Sequence, residues 1–334
     1  MTRPETPYLH RRWPELAGSL PHLPLGNGPT PLRPLVSLAL PARVWCKDDS
    51  GYGTGGWGGN KVRKLEWILP EAKRRKSGTI LTVGGLATNW GLATALYARE
   101  LGMSTAIALI DQPVDDEVDA QLRRLRQSGA TLHFTHTKRR TVALAPWLYL
   151  RHARAGRPPY FLPAGGSNAV GTLGHVEAAC ELAEQIRQKG LPTPTHLVTA
   201  VGSGGTAAGL ALGLRIAGLP TKLVGIVVND TLRLDAPSIL ALAKRGERLL
   251  RGRGAALPSV DLGPDDVLIL RDWLGPGYGH ATEEAAAARA LAAAEGLRLD
   301  PTYTAKAYAA LLKMASDGRF GEGPVVFLNT HGPR

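Results

Sequence analysis

Cysteine is scarce in this chain: Cys46 and Cys180 are the only two among 334 residues. Two cysteines give no disulfide framework and no metal-ligand spacing, so no metal centre and a reducing, cytoplasmic setting are expected. Long apolar runs are also missing. The nearest, residues 197–214, is mostly Gly, Ala, Ser and Thr and does not read as a membrane span. Residues 1–18 hold charges and prolines without an apolar centre, so no secretory leader is expected there. Internal repeats and low-complexity tracts are absent too, which excludes solenoids and disordered tails.

Acidic residues are outnumbered. Lys and Arg total 40 against 28 Asp and Glu, a net charge of +12. The cations gather at residues 73–76, 138–140 and 244–253, with few aromatics nearby and no nucleic-acid motif. Solvated faces are the reading for each, with neither nucleic acid nor membrane as partner. With 44% hydrophobic and 20% charged residues, the chain is ordinary globular material for one large domain or two smaller ones.

What the chain does have is alternation. Residues 1–40 are Pro-rich and read as an extended arm with a turn at Gly26-Asn27-Gly28-Pro29. Strand-like runs at 42–46, 79–83, 104–110 and 131–134 are separated by helical patterns at 60–75, 90–101 and 115–128, with another at 141–155. A loop-rich stretch, 158–174, leads into a helix at 169–189. The pattern resumes with strands at 196–201, 222–228, 267–270 and 325–328. Helices are expected at 207–217, 235–244, 282–294 (capped by Thr282) and 302–315, with a basic irregular connector at 245–264. Such alternation predicts an α/β fold: two domains with twisted, mainly parallel sheets flanked by helices and a ligand cleft between them.

Three stretches can carry chemistry. Gly55-Gly56-Trp57-Gly58-Gly59-Asn60-Lys61 runs into a helix start, and Arg63 and Lys64 follow. Neighbouring cations would lower the Lys61 pKa and free its amine to act as a nucleophile. A basic, solvated helix start would look the same. Gly202-Ser203-Gly204-Gly205-Thr206 joins an apolar strand to a helix. Successive backbone N–H groups there would cradle an anion. The loop lacks a Walker lysine and dinucleotide glycine spacing, which leaves a different phosphate-bearing cofactor or a plain tight turn. Thr88-Asn89 sits at a strand end before a helix, a place for polar ligand contacts or for a simple cap.

In combination these stretches resemble the 1-aminocyclopropane-1-carboxylate deaminase and D-cysteine desulfhydrase family of pyridoxal-phosphate enzymes, of the tryptophan-synthase-β-like class. The resemblance rests on Gly58-Gly59-Asn60-Lys61-Val62-Arg63-Lys64-Leu65-Glu66 and on Lys47-Asp48-Asp49. It continues through Pro163-Ala164-Gly165-Gly166-Ser167-Asn168, Ser203-Gly204-Gly205-Thr206 and Gly277-Tyr278-Gly279, and spans residues 30–332 in order. It implies pyridoxal 5'-phosphate as cofactor, carried by Lys61 as a Schiff base. Asn60, Asn89, Ser203, Gly204, Gly205, Thr206, Thr304 and Thr330 would bind that cofactor. Thr88, Tyr278 and Tyr303 would act with Lys61 on a small amino-acid substrate. A large domain of residues 1–65 and 172–334 would hold an inserted small domain of residues 66–171, and the protein would be a homodimer.

Departures from the pattern bear on the substrate. The family's Gln-Ser-Asn-(His/Gln) is Ala87-Thr88-Asn89-Trp90 here. Ala87 lacks an amide and Trp90 adds bulk. The deaminases carry Glu after the tyrosine matching Tyr303 and Leu in their final His-Leu-Gly-Gly, whereas the desulfhydrases carry Ser or Thr at both places. Here the two positions are Thr304 and Thr330. A carboxylate at the ring nitrogen makes a strong electron sink; a hydroxyl makes a weaker one, suited to substrates with a ready β-leaving group. The expected activity is therefore β-elimination of D-cysteine or a related β-substituted amino acid to pyruvate, ammonia and sulfide. Ring-opening deamination or β-replacement on the same fold are the alternatives within the family. A non-catalytic basic binding protein on this fold is the alternative of another class.

Overall fold

The computed structural model describes residues 6–38, 40 and 42–332. Residues 1–5 of the Pro-rich arm lie outside the described residues. The rest of the arm is not simply extended, which corrects the sequence expectation. It folds into two short helices, α1 (Tyr8–Arg12) and α2 (Leu16–Ser19). Leu9, Leu16 and Leu20 are fully buried, and the Tyr8 and Leu9 N–H groups donate to the Glu177 carboxylate at 2.8 and 2.7 Å. That carboxylate satisfies N–H groups that a short helix leaves open.

Two strands follow, β1 (Leu32–Pro34) and β2 (Val44–Asp48), paired antiparallel. Helix α3 (Asn60–Arg74) buries most of its length. Next come β3 (Thr79–Gly85), α4 (Asn89–Glu100), β4 (Ser104–Ile110) and α5 (Asp116–Gln127). The sequence continues with β5 (Thr131–His136), α6 (Lys138–Arg151), β6 (Tyr160–Leu162) and α7 (Ala169–Lys189). After these come β7 (His196–Val201), α8 (Gly205–Ile216), β8 (Lys222–Val227), α9 (Ala236–Gly252) and β9 (Val267–Leu270). Last are α10 (Glu283–Ala294), α11 (Thr304–Ser316) and β10 (Val325–Asn329). Side-chain caps set several helix starts: Asp115, Thr137, Asn168, Asp235 and Thr282 each accept an N–H of the following first turn.

The strands form two sheets. One has the order β1-β2-β10-β7-β8-β9, parallel except for β1 at its edge. The other, β5-β4-β3-β6, is parallel throughout and comes from residues 79–162. Pro34 sits in the edge strand, where its missing N–H costs no ladder bond. Helices α10 and α11 cover one face of the large sheet with an Ala-rich layer around Tyr308 and Phe327. Helices α3, α7, α8 and α9 contribute to a larger core that reaches Ile80, Ile107 and Leu162 of the second sheet. Two parallel sheets aim their carboxyl ends into loops, the usual place for a ligand in such folds.

The structure differs from the sequence expectation in two further ways. Two three-residue strands are additions: β1 lies within the arm and β6 within the stretch read as loop. Helix α9 runs on to Gly252, so the basic connector expected from residue 245 is helical for its first eight residues.

Candidate active site

Lys61 is the second residue of α3, at the end of the glycine loop. Gly59 precedes the helix with φ of 91°, a conformation that favours glycine. A Cβ there would lie 2.9 Å from both the Gly332 nitrogen and the Thr330 carbonyl oxygen. The close approach lets the chain after β10 bond the loop: Asn60 N–H donates to the Thr330 carbonyl and Gly58 N–H to that of Gly332, each at 3.3 Å. Residues some 270 apart in sequence thus meet around Lys61.

The Lys61 amine has its pKa lowered from 10.5 to about 8. Burial lowers it, and the Asp300 carboxylate works against that. This corrects the expected cause, which was the neighbouring cations. Arg63 is neutralised by Asp49, with Nε and Nη2 at 2.8 Å from its two oxygens, and by Glu181. Lys64 turns away and donates to the Gly165 carbonyl at 2.9 Å. Burial drives the Lys64 pKa well down, with Lys61 adding to it. The Lys47-Asp48-Asp49 strand end is architectural as well. Lys47 bonds Glu181, Gln185 and the Thr30 carbonyl, and Asp48 accepts from Asn329 at 3.0 Å.

The Gly202–Thr206 loop ends β7 and starts α8. Gly204 caps the helix with φ of 84°. A Cβ on Gly205 would meet Ser167 Oγ at 2.6 Å and Lys64 Nζ at 2.8 Å, so a side chain would fill the cradle. The Gly205 N–H donates to Ser167 Oγ at 3.0 Å, and Ser167 Oγ donates to Ser203 Oγ at 2.9 Å. Asn60 Nδ2 donates to Thr206 Oγ1 at 3.1 Å, tying the starts of α3 and α8 together. The first turn of α8 has no acidic residue. Its open N–H groups and positive dipole end therefore suit an anion.

Thr88 caps α4, its Oγ1 accepting the Gly91 N–H at 3.0 Å. Asn89 Oδ1 accepts from Gln121 at 2.8 Å. Both line the cavity. Trp90 Nε1 donates to Thr82 Oγ1 at 2.8 Å, and the ring packs where a Cβ on Gly166 would fall. The Ala87 N–H donates to Gln112 Oε1 at 3.3 Å, so a side-chain amide absent at position 87 reaches this loop from another one.

Tyr278 and Tyr303 share a hydroxyl–hydroxyl hydrogen bond of 2.6 Å with rings edge to face. Burial raises both phenol pKa values, so both stay protonated at neutral pH. Asp230 holds the tyrosine turn through the Tyr278 N–H at 3.0 Å. Thr330 lines the cavity, whereas Thr304 is buried behind its wall. Thr304 Oγ1 donates to Asp300 Oδ2 at 2.8 Å and accepts the Asp300 N–H at 2.9 Å. The polar groups on the wall there are Asp300 and His331, the latter 3.7 Å from the carboxylate. Sequence reasoning passed over both. An Asp before Pro and four residues ahead of the first helical residue was the available signal for Asp300, as an acceptor for N–H groups at a helix start. Its oxygens indeed accept the N–H groups of Thr302, Tyr303 and Thr304.

All the predicted site residues except Gly205 and Thr304 line one cavity of about 890 Å³ between the sheets. It has a polar end, with Lys61, Asn60, Thr206, Tyr278 and Asp300, and a mainly apolar side along α6, where Val142, Ala145, Pro146 and Leu148 accompany Lys138 and Thr141. The polar end fits pyridoxal phosphate. A partly neutral amine would meet its aldehyde, and a helix N-terminus free of carboxylates, kept open by glycines, would meet its phosphate.

Known proteins agree with that chemistry. A D-cysteine desulfhydrase from Klebsiella pneumoniae (strain 342) is 34% identical over 321 residues, 93% of this chain and 94% of that protein. A crystal structure of an ACC deaminase homologue superposes with a TM-score of 0.80 at 29% identity, covering 98% of this chain and 95% of the other. A T.th. threonine deaminase shares the fold, with a TM-score of 0.66 at 21% identity over 96% of this chain and 98% of its own. The family described as pyridoxal-phosphate dependent enzyme matches residues 23–331, and this chain belongs to it.

Proposed function

We propose that the protein is a β-eliminating lyase that converts D-cysteine, or a close β-substituted relative, to pyruvate, ammonia and sulfide. The observation that carries the reading is the state of the carboxylate beside the cavity's polar end. Asp300 is engaged by three backbone N–H groups and the Thr304 hydroxyl, so it is not a free acid for a ring nitrogen. That weakens the case for ring-opening deamination and favours substrates with a good leaving group.

In this reading Lys61 carries the cofactor through its amine. Ser203, Gly204, Gly205 and Thr206, with Asn60 behind them, hold its phosphate. Asn89 holds the ring hydroxyl, and Thr330 takes the ring nitrogen. Pyridoxal phosphate, when bound, supplies the electron sink that makes the substrate Cα proton removable. Lys61 Nζ takes that proton, a task suited to an amine titrating near neutrality. Thr88 and the start of α4 receive the substrate carboxylate. The protonated Tyr278–Tyr303 pair faces the departing sulfur and can give it a proton.

The two sheets suggest the domain division: residues 1–65 and 172–334 around an inserted 66–171. Among the described residues no helix is long and apolar enough to cross a membrane, and both buried cysteines are free thiols. We place the protein in the cytoplasm as a homodimer, which a mass measurement in solution checks.

The test is keto-acid and sulfide release from D- and L-cysteine and from 1-aminocyclopropane-1-carboxylate, with borohydride reduction and peptide mapping alongside. Sulfide and pyruvate in equal amounts and label on Lys61 are expected. Faster ring opening than sulfide release, or label on Lys64, would overturn the reading.

A further inference from the structure

The cavity extends well beyond its polar end. From Gly84 and Pro163 it continues as a groove beside α6, walled by Val142, Ala145 and Tyr149 on the helix and by Leu81, Val83 and Phe161 on the sheet. Helix α6 is lightly anchored. Of its described residues only Leu148 is buried, in a small cluster with Leu81, Ala106 and Ala108. Val142 and Phe161 remain 66% and 52% exposed on the groove. The charged groups on this part of the lining are Asp111 and Lys138, and Lys138 also reaches the Thr231 carbonyl at 3.2 Å.

An α-amino acid bound at the polar end has two fixed groups. Its amine must meet the Lys61 region, and its carboxylate suits the N-terminus of α4. What remains free to extend is whatever the β-carbon carries. A three-carbon substrate would leave the groove filled with water against apolar side chains. Small-molecule sites are commonly ~300–1,000 Å³ and largely apolar, with a few polar groups fixing orientation. The present cavity has that composition: the groups that would fix an amino acid lie around Lys61, and the α6 side is mainly apolar with Asp111, Lys138 and Thr141 beside it.

We propose that the groove beside α6 binds an apolar group carried on the sulfur, so that the substrate class is a cysteine thioether rather than free cysteine. The inference rests on the elimination reading above. The reaction is balanced: the thioether R–S–CH2–CH(NH3+)–COO− plus water gives R–SH, pyruvate and ammonium. The Cβ–S bond breaks with its electron pair on sulfur, the sulfur gains a proton, and water supplies the keto oxygen as ammonium leaves. No oxidant or reductant is needed.

The experiment measures kcat/KM for pyruvate release across cysteine, S-methyl-, S-propyl- and S-benzylcysteine, in both enantiomers. If the groove receives the substituent, kcat/KM rises by about fourfold per methylene, the factor that burying one methylene is worth. Val142→Asp and Ala145→Trp place charge or bulk in the groove from a half-open helix face. Each should lower the ratio of S-benzyl- to free cysteine turnover by tenfold or more. A flat or falling series with active free cysteine overturns this inference and leaves the elimination reading standing. So does a series that rises equally in both variants. Pyruvate from no member overturns both.

Discussion

Replacing Lys61 by Met in the cofactor-free protein should stabilise it at neutral pH, and the gain should disappear in alkali. The Lys61 amine titrates near 8 in the folded chain against 10.5 when free. Folding therefore disfavours its charged form by roughly 2.5 pK units, or about 3 kcal/mol at most. Between those two values the unfolded chain binds more protons than the folded one, so wild-type stability rises with pH across that window. Below pH 8 the full penalty applies, and Met, of similar length, removes it. Water in the cavity screens part of the charge, so a gain of about 1–3 kcal/mol at pH 7 is expected. Relief of Lys64, whose pKa Lys61 also depresses, acts in the same direction. Urea denaturation of both proteins from pH 6.5 to 10.5 gives the difference directly. A difference that stays constant with pH, or a wild type more stable at pH 7, would refute a buried and depressed amine. The same shift leaves about a tenth of the amine neutral at pH 7, some 300-fold more than in a free lysine.

Arg63→Met should cost about 3–5 kcal/mol in urea denaturation, because it leaves Asp49 buried without its cation and Glu181 with Lys47 alone; a loss under 1 kcal/mol would show the network to be wet. Gly204→Val should reduce cofactor retention on dialysis by tenfold or more, since φ is 84° there and a Cβ would meet Ile239 Cδ1 at 2.9 Å. Retention at the wild-type level would remove the loop from the phosphate site. Asp300→Asn should move the midpoint of Lys61 modification below pH 8, because the carboxylate is what holds that pKa up; an upward or absent shift would count against their proximity.

Much of this arrangement was legible because it is local. A strand of apolar residues, a glycine loop and a helix start are neighbours in sequence, so 104–110, 196–201 and 267–270 were read to the residue. Lys61 and the Gly202–Thr206 loop are local signals of the same kind. The short strands β1 and β6 were not legible. Each is three residues, and each exists because a longer strand elsewhere offers a ladder. The arm was misread for a similar reason. Nothing in residues 8–20 announces that Glu177 will satisfy the first N–H groups of α1. The basic run at 244–253 reads as solvent-facing, and most of it is. Yet Arg253 bonds Glu71 at 3.1 Å and also the Ser19 carbonyl, closing α3, α9 and the arm against one another.

The site divides along the same line. Residue types that chemistry requires could be found one at a time, but the partner that decides each role came from elsewhere in the chain. Arg63 looked like a charge that would activate Lys61, yet Asp49 and Glu181 take that charge and leave burial to do the lowering. Ala87 looked like a lost amide, yet Gln112 brings one to the same N–H. Thr304 looked like a ring contact, yet its hydroxyl completes the Asp300 cap, and Asp300 stands on the wall in its place. Each Asp300 carboxylate oxygen already accepts two donors, Oδ1 from the Thr302 and Tyr303 N–H groups and Oδ2 from the Thr304 N–H and hydroxyl, so the carboxylate on the wall is committed to the start of α11. On the proposed reading, the residue that bears on elimination against deamination here is Asp300, tied to the start of α11, more than Thr304 itself.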